Sequence, residues 1–176
     1  MTKKTDMLNL SGATGTIPRR DLEASPGYLS EEDLKRGPVV VIECTEKIPC
    51  NPCETICKRG AIEVGEPITN LPRVDPAKCN ACGACISICP GLAIFLIDVT
   101  CSENEATISL PHEYLPLPKE GGKVEAVNRK GEPVCGGKVV TVRNPKSYDH
   151  TPMVTIAIPR KYFSEVRGIR KFSYPT

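Results

Sequence analysis

Ten cysteines lie in this 176-residue chain, and eight of them fall into two runs. The downstream run is Cys79, Cys82, Cys85 and Cys89, followed at once by Pro90, so it reads C-x2-C-x2-C-x3-C-P. The upstream run is Cys44, Cys50, Cys53 and Cys57, which reads C-x5-C-x2-C-x3-C. Thiolates are soft ligands, and packed this densely they point to a metal centre. A loop that carries three ligands within seven residues must curl tightly, and Ala81, Gly83 and Ala84 supply the small gap-fillers. Gly83 can take a positive φ at no steric cost. Zinc sites pair two C-x2-C knuckles across a longer gap, whereas here the third cysteine follows at once and the run ends in Cys-Pro. A disulfide framework suits secreted chains, and the opening Met1 to Asp6 is polar, with no apolar signal region. The downstream spacing is that of thiolates holding a cubane [4Fe-4S] cluster.

The two runs repeat each other at a fixed offset. Cys50, Cys53 and Cys57 align with Cys82, Cys85 and Cys89, and Gly60-Ala61-Ile62 answers Gly91 to Ile94 with one residue inserted. Over residues 38–100 the chain resembles the bacterial-type two-[4Fe-4S] ferredoxin, on these cysteine motifs. The resemblance implies an α+β fold, a pseudo-twofold β-α-β repeat around two iron-sulfur clusters. In that family the fourth cysteine of each run ligates the other cluster. Carried over, one cluster takes Cys44, Cys50, Cys53 and Cys89, and the other Cys79, Cys82, Cys85 and Cys57. Two positions depart from the family pattern. The first gap of the upstream run is five residues, and Lys58 stands where proline follows the fourth cysteine. A cation at Lys58 raises a cluster's potential, while Pro52, lacking an N–H to offer a cluster sulfur, lowers it.

The remaining sequence must position these ligands. Residues 1–37 read as an arm with a short helix. Leu8, Leu10, Ile17, Leu22 and Tyr28 are spaced along it without period, as in a free tail or an arm wrapping a partner. Ser30 to Asp33 reads as a capping box, and Gly37-Pro38 ends that helix. Val39 to Glu43 is a buried strand, partnered by Ile62 to Val64; Arg73 to Asp75 and Leu92 to Val99 are further strands. Ile48, Ile56, Ile86 and Ile88 interleave the ligands and are expected to shield the clusters. The ferredoxin unit occupies 38–105.

Residues 106–176 change character, with strand patterns at 121–127, 134–142 and 153–158 broken by glycine and proline. Gly136-Gly137 suggests a bulge or bend. The reading is a small C-terminal β-barrel or meander serving as a docking module, closed by a short helix over 164–172. Arg160, Lys161, Arg167, Arg170 and Lys171 form a basic cluster, but only Tyr162, Phe163 and Phe172 accompany it as stacking platforms, which disfavours nucleic acid. Cys101 and Cys135 read as small buried hydrophobes, and His112 and His150 as surface or structural. No P-loop, dinucleotide fingerprint or nucleophile elbow is present.

Net charge is +2, so no global field draws in nucleic acid or anionic lipid, and the longest apolar run, Leu92 to Ile97, is too short to span a bilayer. The expectation is a cytoplasmic electron-transfer protein with no catalytic site of its own. Arm and tail beyond the cluster domain favour an iron-sulfur subunit of a larger oxidoreductase over a freestanding shuttle ferredoxin. In layout the chain resembles the ferredoxin-like small subunits of FAD-dependent amine or amino-acid dehydrogenases of the proline and hydroxyproline type. That resemblance implies flavin-containing partner subunits.

Overall fold

The computed structural model describes residues 16–149 and 151–170. Leu8, Leu10, His150, Lys171 and Phe172 lie outside the described residues. From residue 16 the arm packs on its own chain. Helix α1 (Arg19–Glu23) buries Leu22. The Ser25 hydroxyl donates to the Cys44 carbonyl at 3.2 Å, and the Ile42 amide donates to the Gly27 carbonyl at 3.0 Å. A Cβ on Gly27 would stand 2.8 Å from both Cβ and O of Ile42, so glycine lets the arm lie against that backbone. Helix α2 (Glu31–Leu34) opens on the capping box, with the Ser30 side chain accepting from the Asp33 amide and Asp33 accepting from the Ser30 amide. It buries Leu34, and Gly37 at φ +132 follows its end.

Strand β1 (Val39–Ile42) is apolar and buried throughout. After it come α3 (Pro52–Ile56), β2 (Ile62–Glu63), β3 (Arg73–Val74), α4 (Ala84–Ile88) and β4 (Ile94–Asp98). The pairing crosses the two halves. β1 runs antiparallel to β4, from Val39 against Ile97 to Ile42 against Ile94, and β2 runs antiparallel to β3. Val39 to Glu43 therefore does not take Ile62 to Val64 as partner. A strand buried on both faces needs an apolar partner of matching length, and Ile94 to Ile97 supplies it. The two helices pack against each other between the strand pairs.

The C-terminal strands continue the same sheet. β5 (Glu105–Pro111), β6 (Lys123–Val127), β7 (Pro133–Arg143), β8 (Met153–Pro159) and β9 (Gly168–Ile169) extend it in the order β1-β4-β5-β8-β7-β6-β9. All neighbours are antiparallel. β5 joins the cluster half to the rest, pairing Ile108 with Ile97 on one side and with Ile156 on the other. Ala106, Ile108 and Leu110 alternate into the core, a pattern short enough to be hidden between Glu105 and Pro111.

Two local expectations are corrected. Gly136 and Gly137 pair in register with Glu125 and Val124, and the irregularity on the β7–β8 side falls between Val139 and Thr141, at exposed Val140. Glycine serves close packing instead: a Cβ on Gly137 would touch Ile158 Cγ2 at 3.3 Å. Within 164–172, the described residues form turns and then β9, not a helix. The Arg167 and Arg170 amides donate to Val127 and Glu125 carbonyls at 2.9 Å each, so pairing with β6 satisfies that backbone.

The sheet curls. Phe95 of β4 shares one core with Val166 and Ile169, although β4 and β9 lie five places apart in strand order. A second core packs Ile42, Ile62, Val64, Ile86, Ile94 and Met153 around the cysteines. Among the described residues no helix is long and apolar enough to cross a membrane.

Candidate metal centres

Each cysteine run uses a five-residue helix to aim two thiols. α3 begins with Pro52, which has no N–H to waste at a helix start, buries Cys53, and ends on Cys57. α4 buries Cys85 and ends on Cys89, which leaves in an extended conformation. The turn before α4 is tight. Gly83 sits at φ 78, and Ala81 adopts φ 57, a left-handed conformation that its residue type does not signal. A Cβ on Gly83 would lie 2.9 Å from Met153 Sδ, so β8 presses directly on the downstream run.

The repeat extends to hydrogen bonding. The Ala61 amide donates to Cys57 Sγ at 3.3 Å, and the Ala93 amide donates to Cys89 Sγ at 3.4 Å, four residues on in both cases. Amides aimed at sulfur favour its anionic, metal-bound form.

The thiols gather as two sets. Cys44, Cys50, Cys53 and Cys89 line one cavity of ≈ 200 Å³, whose apolar wall includes Ile17, Ile42, Ile48 and Ile94. Burial pushes the Cys53 thiol up to about 11, with Cys89, Cys50 and Cys44 adding to the rise. Burial pushes Cys85 up to about 12, and there the neighbours that add are Cys79, Cys82 and Cys57. The last cysteine of each run thus stands with the other run. Among the described residues no three His, Cys, Asp or Glu side chains converge as a single bound ion requires. The cavity lined by Cys44, Cys50, Cys53 and Cys89 leaves room for a multi-atom cluster. An apolar wall, four thiols and amides directed at sulfur all suit such a group.

The interleaved isoleucines divide. Ile86 is fully buried, but Ile48, Ile56 and Ile88 are 53%, 37% and 41% exposed. Ile56 and Ile88, the last residues of α3 and α4, therefore cover less than expected. Cys82 is exposed and Cys53 and Cys85 are buried, with the other five cysteines of the two runs between.

Residues outside the runs take other parts. Cys101 is exposed, not buried, and lies near the Asp98 and Glu105 carbonyls. Cys135 is half-buried on β7 against the C-terminal core, and burial raises its pKa. His112 is buried, with its ring edge-on to Tyr114 at 5.7 Å, and burial lowers its pKa. The basic cluster is largely committed. Arg170 pairs with Glu125 at 2.8 Å, Lys161 lies over the Tyr162 ring, and Arg167 is buried.

Arg167 belongs to a group of which no local motif gives a sign. Glu43, one residue before Cys44, lines the same cavity and is held by both Arg129 and Arg167. Burial alone would raise its pKa. The hydrogen bond and charge of Arg129 and the charge of Arg167 outweigh that and hold it below the usual carboxylate range.

Residues 72–95 match the 4Fe-4S binding domain family. The chain carries a 4Fe-4S binding domain. It is also 51% identical over 49 residues to a subunit of the ion-translocating oxidoreductase complex of Methanosarcina acetivorans, a match covering 28% of this chain and 17% of that protein. Over 45 residues it is 42% identical to the corresponding component of the Na(+)-translocating ferredoxin:NAD(+) oxidoreductase complex of Acetobacterium woodii, covering 26% of this chain and 13% of the relative. The chain therefore matches under a fifth of the length of either curated relative. No solved structure matches it. By the family match, residues 72–95 are an iron-sulfur-binding segment.

Proposed function

We propose that this protein is the electron-relaying subunit of a multi-subunit oxidoreductase and carries two [4Fe-4S] clusters. Cys44, Cys50, Cys53 and Cys89 hold one, and Cys79, Cys82, Cys85 and Cys57 the other. The observation that carries this reading is the exchange of the last cysteines, Cys89 beside the upstream thiols and Cys57 beside the downstream ones. Bound there, the clusters supply one-electron chemistry. The chain supplies the rest. Its thiols ligate, the Ala61 and Ala93 amides stabilise sulfur charge, and the apolar wall around the upstream set limits water. Packing of α3 on α4 holds the two sites close.

The partner in this reading is a flavin-containing dehydrogenase subunit, which delivers two electrons that this chain passes on singly, in the cytoplasm. Its support is the layout: an arm, a five-residue first gap and a β-rich tail around the cluster unit. The two relatives, named as subunits of oxidoreductase complexes, support the hetero-oligomer. Anaerobic purification from the native source tests it. About eight irons with matching sulfide, in a complex with a flavin-bearing chain, is the expected result. The same iron in a lone monomer makes the protein a shuttle ferredoxin, and metal without sulfide removes the cluster reading.

A further inference from the structure

The two cysteine sets differ in the charge around them. Beside the set of Cys44, Cys50 and Cys53 stand Glu43, neutralised by two arginines, and Glu46, Lys47 and Glu54, a mixed group. Beside the other set Lys58 and Arg59 follow Cys57, Lys78 precedes Cys79, and Arg36 shares a groove with Asp33, Cys79 and Ala81.

These cations occupy one neighbourhood. Ala61 ties them together, because its amide donates to Cys57 Sγ at 3.3 Å while its carbonyl accepts from the Asp75 amide at 2.8 Å. The Lys78 amide in turn donates to the Asp75 carbonyl at 3.2 Å. Lys78 is offset by Asp75, its partner at 3.4 Å, and Asp33 caps α2, which leaves Arg36, Lys58 and Arg59 as the unpaired charges of this group among the described residues. Cys82, the exposed ligand, belongs to the thiol set that these residues flank.

Resting on the two-cluster reading above, we propose that the face of Arg36, Lys58 and Arg59 beside the thiol set of Cys82 is the docking surface for an acidic electron-transfer protein. Electrons cross between proteins where a centre comes nearest the surface, and Cys82 is that corner of its set. A surplus of one charge sign beside it steers an oppositely charged partner and makes encounter fall with ionic strength.

The test uses the intact, cluster-loaded protein, reduced anaerobically and mixed in a stopped-flow instrument with an oxidised flavodoxin of net negative charge. One electron leaves the reduced protein for each flavodoxin reduced. The rate should fall as salt rises. Lys58→Glu with Arg59→Glu should slow it on the order of 10-fold at low salt and flatten the salt dependence. Lys123→Glu, on distant β6, should leave it unchanged. Hexacyanoferrate(III), a small anion reduced to hexacyanoferrate(II) by one electron, should show the same salt trend. Iron, sulfide and absorbance of each variant are measured first. A double variant with full cluster content and an unaltered flavodoxin rate overturns the docking surface and leaves the cluster reading intact. A wild-type protein that holds fewer than two clusters overturns the underlying reading instead.

Discussion

Glu43 and Arg167 are 124 positions apart and meet through a 2.6 Å hydrogen bond from Nε to Oε1. Glu43 follows edge strand β1 and Arg167 precedes edge strand β9, so this contact joins the two ends of the curled sheet where no backbone pairing does. Arg129, from the turn between β6 and β7, holds the same carboxylate and also donates to the Ser164 carbonyl at 3.1 Å. The Arg167 guanidinium lies over the Phe95 ring at 5.3 Å. One carboxylate thus fixes the far edge of the sheet beside Cys44.

Replacing Glu43 by Gln leaves two guanidinium groups facing a neutral amide, with Arg167 still buried. Breaking a buried pair from one side costs about 3–5 kcal/mol. Urea denaturation of the holoprotein should show a loss of that size, and an unchanged midpoint would remove the structural role assigned to the group.

The same carboxylate sets an acid response. Its pKa is depressed in the folded state, so the unfolded chain binds more protons and stability rises with pH between the two values. The contribution is fully present above the unfolded value, about 4.3, and is lost as pH falls through the folded value. Denaturation midpoints measured from neutral to acid pH should fall in wild type below that point, and less steeply in Glu43→Gln.

Cys89→Ser tests the exchange of ligands. It should disturb the cluster of Cys44, Cys50 and Cys53 and leave that of Cys79, Cys82 and Cys85. Electron paramagnetic resonance of the reduced variant distinguishes them, and selective loss of the downstream cluster would show each run to be self-contained.

Gly83→Ala places a methyl 2.9 Å from Met153 Sδ at a residue whose φ is +78. Overpacking costs about 1–3 kcal/mol, and the left-handed backbone adds to it. Thermal unfolding should come at a lower temperature and iron should be lost sooner. Gly83→Ala with Met153→Ala, which frees the space but not the φ, should recover only part of the loss.

Removing the metal with a chelator under reducing conditions should loosen the two halves unequally. The core around β1, α3 and α4 includes Cys53 and Cys85, so its packing depends on what the thiols hold. The core of Ile108, Val139, Val154, Ile156 and Ile158 contains no ligand. Hydrogen exchange should show protection lost first in residues 44–93 and kept in β5, β7 and β8. Uniform loss would mean that the sheet folds only with its metal.

Much of the site was legible because ligand chemistry is local. Thiol spacing names the kind of centre, and small residues at Ala81 and Gly83 reveal the turn that brings three thiols together. β6, β7 and β8 were legible from alternation, since one face of each meets a core. β5 escaped because its alternation, Ala106, Ile108 and Leu110, is only three residues deep, and β9 because two residues make no period.

The order of residues alone was enough to define the chemistry: cysteine spacing, its repeat and the type of group it suits. How the rest of the chain serves that chemistry was settled by folding. Only in three dimensions is β1 paired with β4 across the repeat, the cluster half run into one sheet with the tail through β5, and Ile56 and Ile88 turned outward. Folding also brought Arg129 and Arg167 onto Glu43, an arrangement with no local cause. The curl of a sheet sets which distant side chains meet, and a buried charge is tolerated only where such a meeting supplies its partner.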